Sequence, residues 1–455
     1  MTNLDASLAL SQRLDIEVSK ERLSNYFNTT VEGTVSVSKP SSLEELMEIL
    51  TENQSERIPF IPYAPGFEYI FQEVDSEFSM IVDVSNLDRI VDVDEDSRVA
   101  SIEPGVTFES LQNAVGKKGL RVLTSVEVPK SSSVLWTYTE LSPLYSWPRY
   151  GTEPVLTMNV LLPNGKLVKT GAGALPNSGK PYSPIGPPFT LLGRMWYGSQ
   201  MTLGLPVRGY IKLKTAHESN TVRFFKFDDF LSLSKFLAAL KRLRIGEEIL
   251  AVTPLELGLI LSDKADKIKT TSYPNWLLIL VLRGYEEEVA YQKRDLSQEA
   301  RKLGVKVLDE IEGQKNSAAK ILKEIQSPTW MSRARTYQGG RFSISFIAED
   351  KKIPDLIQLV SHLDNFSSFV LPVDAGRSHC NFAFHSKSEG RKQSIPDELK
   401  KIVPELIEHG AFFSRPFGFL SEMVYARNKP YHKLLKQFKQ DLDPNNLLCR
   451  GRLGI

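Results

Sequence analysis

Arg427 stands two residues after Tyr425, and a guanidinium beside a phenol can grip an anionic oxygen through paired hydrogen bonds. A second cationic group, Asp374-Ala-Gly-Arg-Ser-His379, sets Arg377 and His379 just before an apolar run, where both can bind a carboxylate. Glu153 follows the turn Tyr150-Gly-Thr and offers a carboxylate able to take a proton. Tyr63, Trp136, Tyr138, Tyr145 and Trp147 can wall an aromatic pocket, although aromatic residues in loops also serve as packing alone. Each candidate has an everyday alternative: a surface arginine, a satisfied structural histidine, a solvated turn carboxylate. No His-x-Glu, His-Glu-x-x-His or acidic loop is present, so no metal is expected.

Positioning such groups takes a scaffold, and 455 residues suffice for two or three ordinary domains, each with its own core. Hydrophobic residues at 41% and charged residues at 24% are globular values and argue against disorder. Lys and Arg number 56 against 55 Asp and Glu, which leaves no overall field for nucleic acid or an anionic membrane. Short basic stretches such as Leu240-Lys-Arg-Leu-Arg244 read as solvated helix faces. Cys380 and Cys449 are the two cysteines, too few for a disulfide framework, a Cys-rich zinc site or an iron–sulfur cluster held by this chain alone. Any such cluster would sit on a partner. The N-terminal stretch through Leu23 lacks a basic start and an apolar core and reads as an exposed or docking helix. Trp276–Leu282, the most apolar run, falls short of the about 20 residues of a membrane helix and reads as a buried strand. A cytoplasmic location without membrane insertion is expected.

From Gly33 to Leu123 short β-rich runs alternate with helical segments: a strand at Thr34–Ser38, a helix after Ser42 running to about Glu52, and a helix after Thr107 running to Gly116. Residues 124–190 are rich in Ser, Pro, Tyr and Gly, the composition of loops that line sites. Beyond Lys214 longer amphipathic helices appear, Phe230–Leu243 and Glu286–Leu303 among them, with strands at Leu277–Leu282, Phe342–Ile347 and Asn381–His385. Tyr431–Leu442 reads as a last amphipathic helix, closed by Asp443-Pro-Asn-Asn446.

Four segments in order resemble the family of vanillyl-alcohol oxidase and the p-cresol methylhydroxylase flavoprotein. They are Ile81–Ile90 through Ile102-Glu-Pro-Gly-Val-Thr-Phe108; Tyr150-Gly-Thr through Val160–Gly165 and Thr170-Gly-Ala-Gly-Ala-Leu-Pro176; Gly198–Leu213; and Leu442–Asn446 through Arg450-Gly-Arg-Leu-Gly-Ile455. The resemblance implies an α+β, two-domain fold of the p-cresol methylhydroxylase type: an FAD-binding domain over 1–214, a substrate-covering domain over 215–427, and a return to the first domain over 428–455. It implies FAD contacts at Ala64, Gly66, Phe67, Pro104, Gly105, Ser131, Ser132, Ser133, Gly151, Gly204, Leu205, Val207 and Arg450, with the pyrophosphate near Gly66 and Gly204. It also casts Arg427 and Tyr425 as the grip on a phenolate, Glu153 as an acidic base, and Arg377 with His379 as a hydroxy-acid clamp. Two stretches depart from the family pattern. Where relatives carry a phosphate loop with several glycines, this chain reads Pro62-Tyr-Ala-Pro-Gly-Phe-Glu-Tyr69; where they carry a Gly-rich run against the flavin, it reads Pro129-Lys-Ser-Ser-Ser-Val-Leu-Trp136.

The expected function is an FAD-dependent oxidoreductase that oxidises a small alcohol, a 4-alkylphenol or a 2-hydroxy acid by hydride transfer to the flavin. Its alternative is a scaffold that has lost FAD, or an electron-transfer subunit of a larger complex. The expected partners are a small-molecule substrate and either a second copy or a redox subunit bearing an iron–sulfur cluster or a cytochrome, with no nucleic acid.

Overall fold

The β-branched run Thr34–Ser38 (β2) buries Val35 and Val37 and takes Val18–Arg22 (β1) antiparallel along one edge. On its other edge Met80–Asp83 (β4) runs parallel, followed by Phe60–Tyr63 (β3), for a sheet order β1-β2-β4-β3. The computed structural model describes the chain outside residues 1–17, 23–25, 27–33, 71–78, 147–153, 176–179, 183–191, 218, 265–267, 269–272, 364, 375, 387 and 388. Within the N-terminal stretch expected to be helical, Val18–Arg22 is a strand, because its backbone groups find a ready partner in β2. The helix Leu43–Ser55 makes the crossover. The Ser42 side chain accepts the Glu45 N–H, and Leu46, Ile49 and Leu50 go under the sheet.

A second, antiparallel sheet has the order β5-β6-β10-β8-β9, built from Ile90–Asp94 (β5), Val99–Ile102 (β6), Leu205–Lys212 (β10), Val155–Leu161 (β8) and Leu167–Lys169 (β9). A small ribbon of Leu120–Arg121 (β7) and Lys214–Thr215 (β11) lies beside it. The intervening helix Phe108–Gly116 begins at a reciprocal cap between Thr107 and Ser110. Both sheets share one core, which also takes in Leu447, Leu448 and Cys449. These last residues run alongside β3, where the Phe60 N–H donates to the Leu447 carbonyl at 2.8 Å and the Cys449 N–H to the Phe60 carbonyl at 3.0 Å. Buried Lys439, on the helix Lys429–Leu442, holds the turn in place by donating to Asp443 at 2.7 Å, to the Thr202 carbonyl at 3.0 Å and to the Leu448 carbonyl at 2.5 Å.

The remaining strands make a six-stranded sheet of order β12-β14-β13-β16-β17-β15: Ser219–Phe227 (β12), Trp276–Gly284 (β14), Glu248–Val252 (β13), Phe366–Pro372 (β16), Arg377–His385 (β17) and Arg341–Glu349 (β15). One face carries Phe225, Leu278, Ile344, Phe346 and Phe382 against Phe230–Leu243, Glu286–Lys302, Ile353–Val360 and Glu389–Glu408. The other face packs Leu250, Leu277, Ile279 and Phe369 on Pro254–Leu261, Ser317–Gln326 and Trp330–Thr336, and it reaches the first half of the chain through Val126 and Tyr145. Trp330 Nε1 donates to the Tyr145 hydroxyl at 2.8 Å across this seam. No helix among the described residues is long and apolar enough to cross a membrane.

Candidate functional site

Side chains alternate across a strand, so Arg341, Ser343 and Ser345 on β15 share one face, and His379 and Asn381 on β17 share the same side of the sheet. They meet Glu127 and Ser142 from the first half of the chain. Glu127 Oε1 accepts from Ser345 Oγ at 2.9 Å and pairs with His379 Nε2 at 3.3 Å. Its Oε2 accepts from Ser142 Oγ at 3.1 Å and from the Arg415 guanidinium. The network continues from Ser345 to Asn381 Nδ2 (2.8 Å), from Asn381 Oδ1 to Arg341 (2.6 Å), and from Arg341 to buried Glu256 (2.7 Å). A cavity of about 40 Å³ lies among Glu127, Glu140, Arg335, Arg341, Asn381 and Arg415.

The two carboxylates at this cavity are held in opposite ways. Burial works against the charge of Glu127, yet the guanidinium of Arg415 and the hydrogen bond from His379 outweigh it and keep the carboxyl well below the usual range. Burial dominates at Glu140, whose acid is pushed up to about 7 even though it accepts the Gln200 N–H at 3.1 Å. Glu140 Oε1 is buried without a hydrogen-bond partner. Gln200 and Met201, which bend the chain around it, sit at φ of 52° and 61°, in the left-handed region. Deeper still, burial and the charge of Arg341 push His385 down to about 3, so it stays neutral beside Ser367.

Of the residues proposed for chemistry, the structure sets His379 against Glu127, behind the cavity lining, and leaves Arg377, Arg427 and Tyr425 elsewhere. Arg377 is exposed at the start of β17, and its carbonyl accepts from Lys241, whose ammonium pairs with Asp350 at 2.6 Å. Residues 413–417 separate Arg427 and Tyr425 from the cavity. Arg415 and Phe417 turn inward, whereas Phe413, Ser414 and Pro416 line an outer groove of about 420 Å³ together with Arg427, Tyr425 and Tyr431. Among the described residues Arg427 pairs with Glu408, at 3.6 Å, and Tyr425 stacks on His432 at 4.9 Å. Helix Phe419–Tyr425 ends on this outer side, so both residues line the outer groove and not the small cavity. Glu153, Gly151 and Trp147 lie outside the described residues.

Sequence reasoning missed Glu127, Glu140, Arg335, Arg341, Asn381 and Arg415. A signal for part of this set was present. Phe342-Ser-Ile-Ser-Phe346 and Ser378-His-Cys-Asn-Phe382 place polar residues at every second position of apolar strands, the mark of a sheet face that borders a site. Glu127, Glu140 and Arg415 sit on connecting segments, where no periodicity marks them.

The segments proposed for the cofactor lie together, in direct contact. Gly66, at φ 81°, faces Ser132 so closely that a Cβ would stand 2.1 Å from Ser132 Oγ. The Ser133 N–H donates to the Pro65 carbonyl at 2.7 Å and its hydroxyl to the Pro104 carbonyl at 2.5 Å. Gly105 lies against the Ser85 and Leu87 carbonyls, and Ala64, Leu205 and Val207 are core residues. At Gly204 a Cβ would meet Val160, the Leu161 carbonyl and Trp196. Ser131 is exposed. Arg450 donates to the Asn446 carbonyl at 3.0 Å, within its own turn.

A family model described as an FAD binding domain matches residues 36–171. The 4-ethylphenol oxidase of Gulosibacter chungangensis superposes with a TM-score of 0.84 at 16% identity, covering 99% of this chain and 97% of that one. The chain carries an FAD-binding domain and has the two-domain fold of the p-cresol methylhydroxylase type. Among sequence relatives, glycolate oxidase subunit GlcD of Bacillus subtilis (strain 168) is 21% identical, over 91% of this chain and 87% of that protein. The 4-cresol dehydrogenase [hydroxylating] flavoprotein subunit of Pseudomonas putida is 22% identical over the same shares.

FAD is the cofactor of the matched binding domain, and the residues present do not fit it in the conformation described. A pyrophosphate needs bare N–H groups facing open space. Here the Gly66 turn abuts Ser132, and Phe67 and Trp136, both fully buried, occupy the space between that turn and β10. Their rings meet edge to face at 6.0 Å, Trp136 Nε1 donates to the Pro206 carbonyl at 2.9 Å, and the buried Arg452 guanidinium lies 5.3 Å over Phe67. Glu68 turns away from this contact. Its carboxylate accepts from the Tyr63 hydroxyl at 3.0 Å, and burial raises its acid.

Proposed function

We propose that the site between the first core and the six-stranded sheet recognises a small 2-hydroxy acid, and that this is the substrate class of the chain. The single observation that carries this reading is the lining of the cavity: three guanidiniums, Arg335, Arg341 and Arg415, around about 40 Å³ of space. A guanidinium fork matches a carboxylate. On this measure one water occupies roughly 10–15 Å³, so the cavity holds about three or four water-sized groups, as in a short hydroxy acid and too few for an alkylphenol. Glu140, with its acid near 7, is neutral in a large share of molecules at physiological pH and then does not oppose an anion. Glycolate oxidase is the relative whose name agrees with this class.

In this reading Arg335 and Arg341 bind the carboxylate, while the Glu127–His379 pair borders the hydroxyl and fixes its orientation. Residues 1–214 with 428–455 form the cofactor side and residues 215–427 the covering side. Two relatives are named as subunits, which supports a partner subunit for this chain as well.

Calorimetry with glycolate, lactate and 4-ethylphenol tests the assignment without requiring turnover. The two acids are expected to bind and the phenol is not. Arg335→Ala should weaken acid binding by roughly 10- to 150-fold, the equivalent of one charge-assisted hydrogen bond. Arg427→Ala should leave it unchanged. Binding of the phenol in preference to both acids sinks the reading.

A further inference from the structure

We infer that Phe67 and Trp136 form a plug that shuts the dinucleotide corridor, so that the folded chain excludes added FAD. Two aromatic rings fill the contact between the Gly66 turn, the start of helix Val134–Thr139 and strand β10. Trp136 and Phe67 are both at or below 1% exposure, and they bridge these elements as core side chains. Trp136 is fixed at both ends: its backbone N–H donates to Ser133 Oγ at 3.3 Å and its indole to the Pro206 carbonyl at 2.9 Å. That carbonyl belongs to the strand whose backbone the family resemblance brings beside the nucleotide. Arg452 caps Phe67 from the C-terminal segment.

The neighbouring contacts point the same way. At the serine run the Ser133 N–H is spent on the Pro65 carbonyl, and a proline supplies no replacement on that side; the buried Ser132 hydroxyl, without a partner among the described residues, is the buried donor left over, and it abuts Gly66. Tyr138, also buried, binds the Leu123 carbonyl through its hydroxyl and packs on Phe108 at 5.8 Å, so the next turn of the same helix is committed to core packing too. Moving the plug means exposing two large rings and breaking the indole hydrogen bond. Loading therefore has to precede closure, during folding, or be driven by a partner that turns the rings outward. Neither ring lines the acid site.

The test uses the full chain and FAD itself, read by visible absorbance after gel filtration and by quenching of flavin fluorescence on titration. The purified wild-type chain is expected to exclude added FAD. The Phe67→Ala/Trp136→Gly double variant, with its fold checked by circular dichroism, is expected to bind it at least about tenfold more tightly. Phe67→Leu, which keeps an apolar group in the core, takes its place if the double variant does not fold. Stoichiometric uptake by the wild-type chain overturns the inference, and so does a folded plug variant that gains no affinity. Acid binding by calorimetry stands or falls separately from either result.

Discussion

Arg415→Ala is expected to lower folding stability by about 3–5 kcal/mol at neutral pH, because it strips the countercharge from a carboxylate buried at the centre of the site. Glu127 and Arg415 have side chains only 11% and 14% exposed, so water does not take over when the arginine is lost. The sign follows from titration. In the unfolded chain Glu127 ionises near the ordinary glutamate value of 4.5, and in the folded chain it ionises well below that. The pair thus contributes stability above about pH 4.5, and that contribution is lost as pH falls toward the depressed folded value. The deficit of Arg415→Ala should be full at pH 7 and shrink in acid. Urea denaturation across this range measures it, with Glu127→Gln/Arg415→Ala as the companion, which loses less because no bare charge remains. A single-variant loss under 1 kcal/mol at pH 7 means that Arg415 does not anchor Glu127.

Glu140→Gln should do the opposite and stabilise the fold by about 3 kcal/mol near pH 8. That figure is the energy of moving a carboxyl from 4.5 to about 7, at roughly 1.4 kcal/mol per pH unit. Between these two values the folded chain holds a proton that the unfolded chain has released, so stability falls as pH rises across the window and levels off above it. The variant should be nearly neutral at pH 4 and show its gain only above about pH 7. An equal gain at both ends would assign the effect to packing rather than ionisation.

The elements of this fold were legible wherever a long periodic pattern met a clear cap. Phe230–Leu243 was read from its apolar spacing to the residue, and the helix after Thr107 from its capping threonine. Phe366–Pro372 escaped because Ser367 and Ser368 break its apolar run, although both are fully buried and the strand is central. Tertiary pairing decides such a segment. The site was less legible for a related reason. Arg427 and Arg415 are both arginines on connecting segments, and nothing local distinguishes them. Only the path of residues 413–417 turns one inward and leaves the other beside the outer groove. His379 was singled out with Arg377 from the segment Asp374–His379 ahead of a strand, and of the two it is His379 that meets Glu127.

The pairing of Leu447–Cys449 with β3 bears on the order in which the molecule can be made. Strand β3 leaves the ribosome early, yet the backbone groups of Phe60 find their partners nearly four hundred positions later in the chain. During synthesis the first two sheets therefore wait with an open seam while the six-stranded sheet, whose strands all lie between Ser219 and His385, can close on its own. The half made first is completed last, which leaves an interval in which its interior remains accessible to a ligand, a chaperone or a protease.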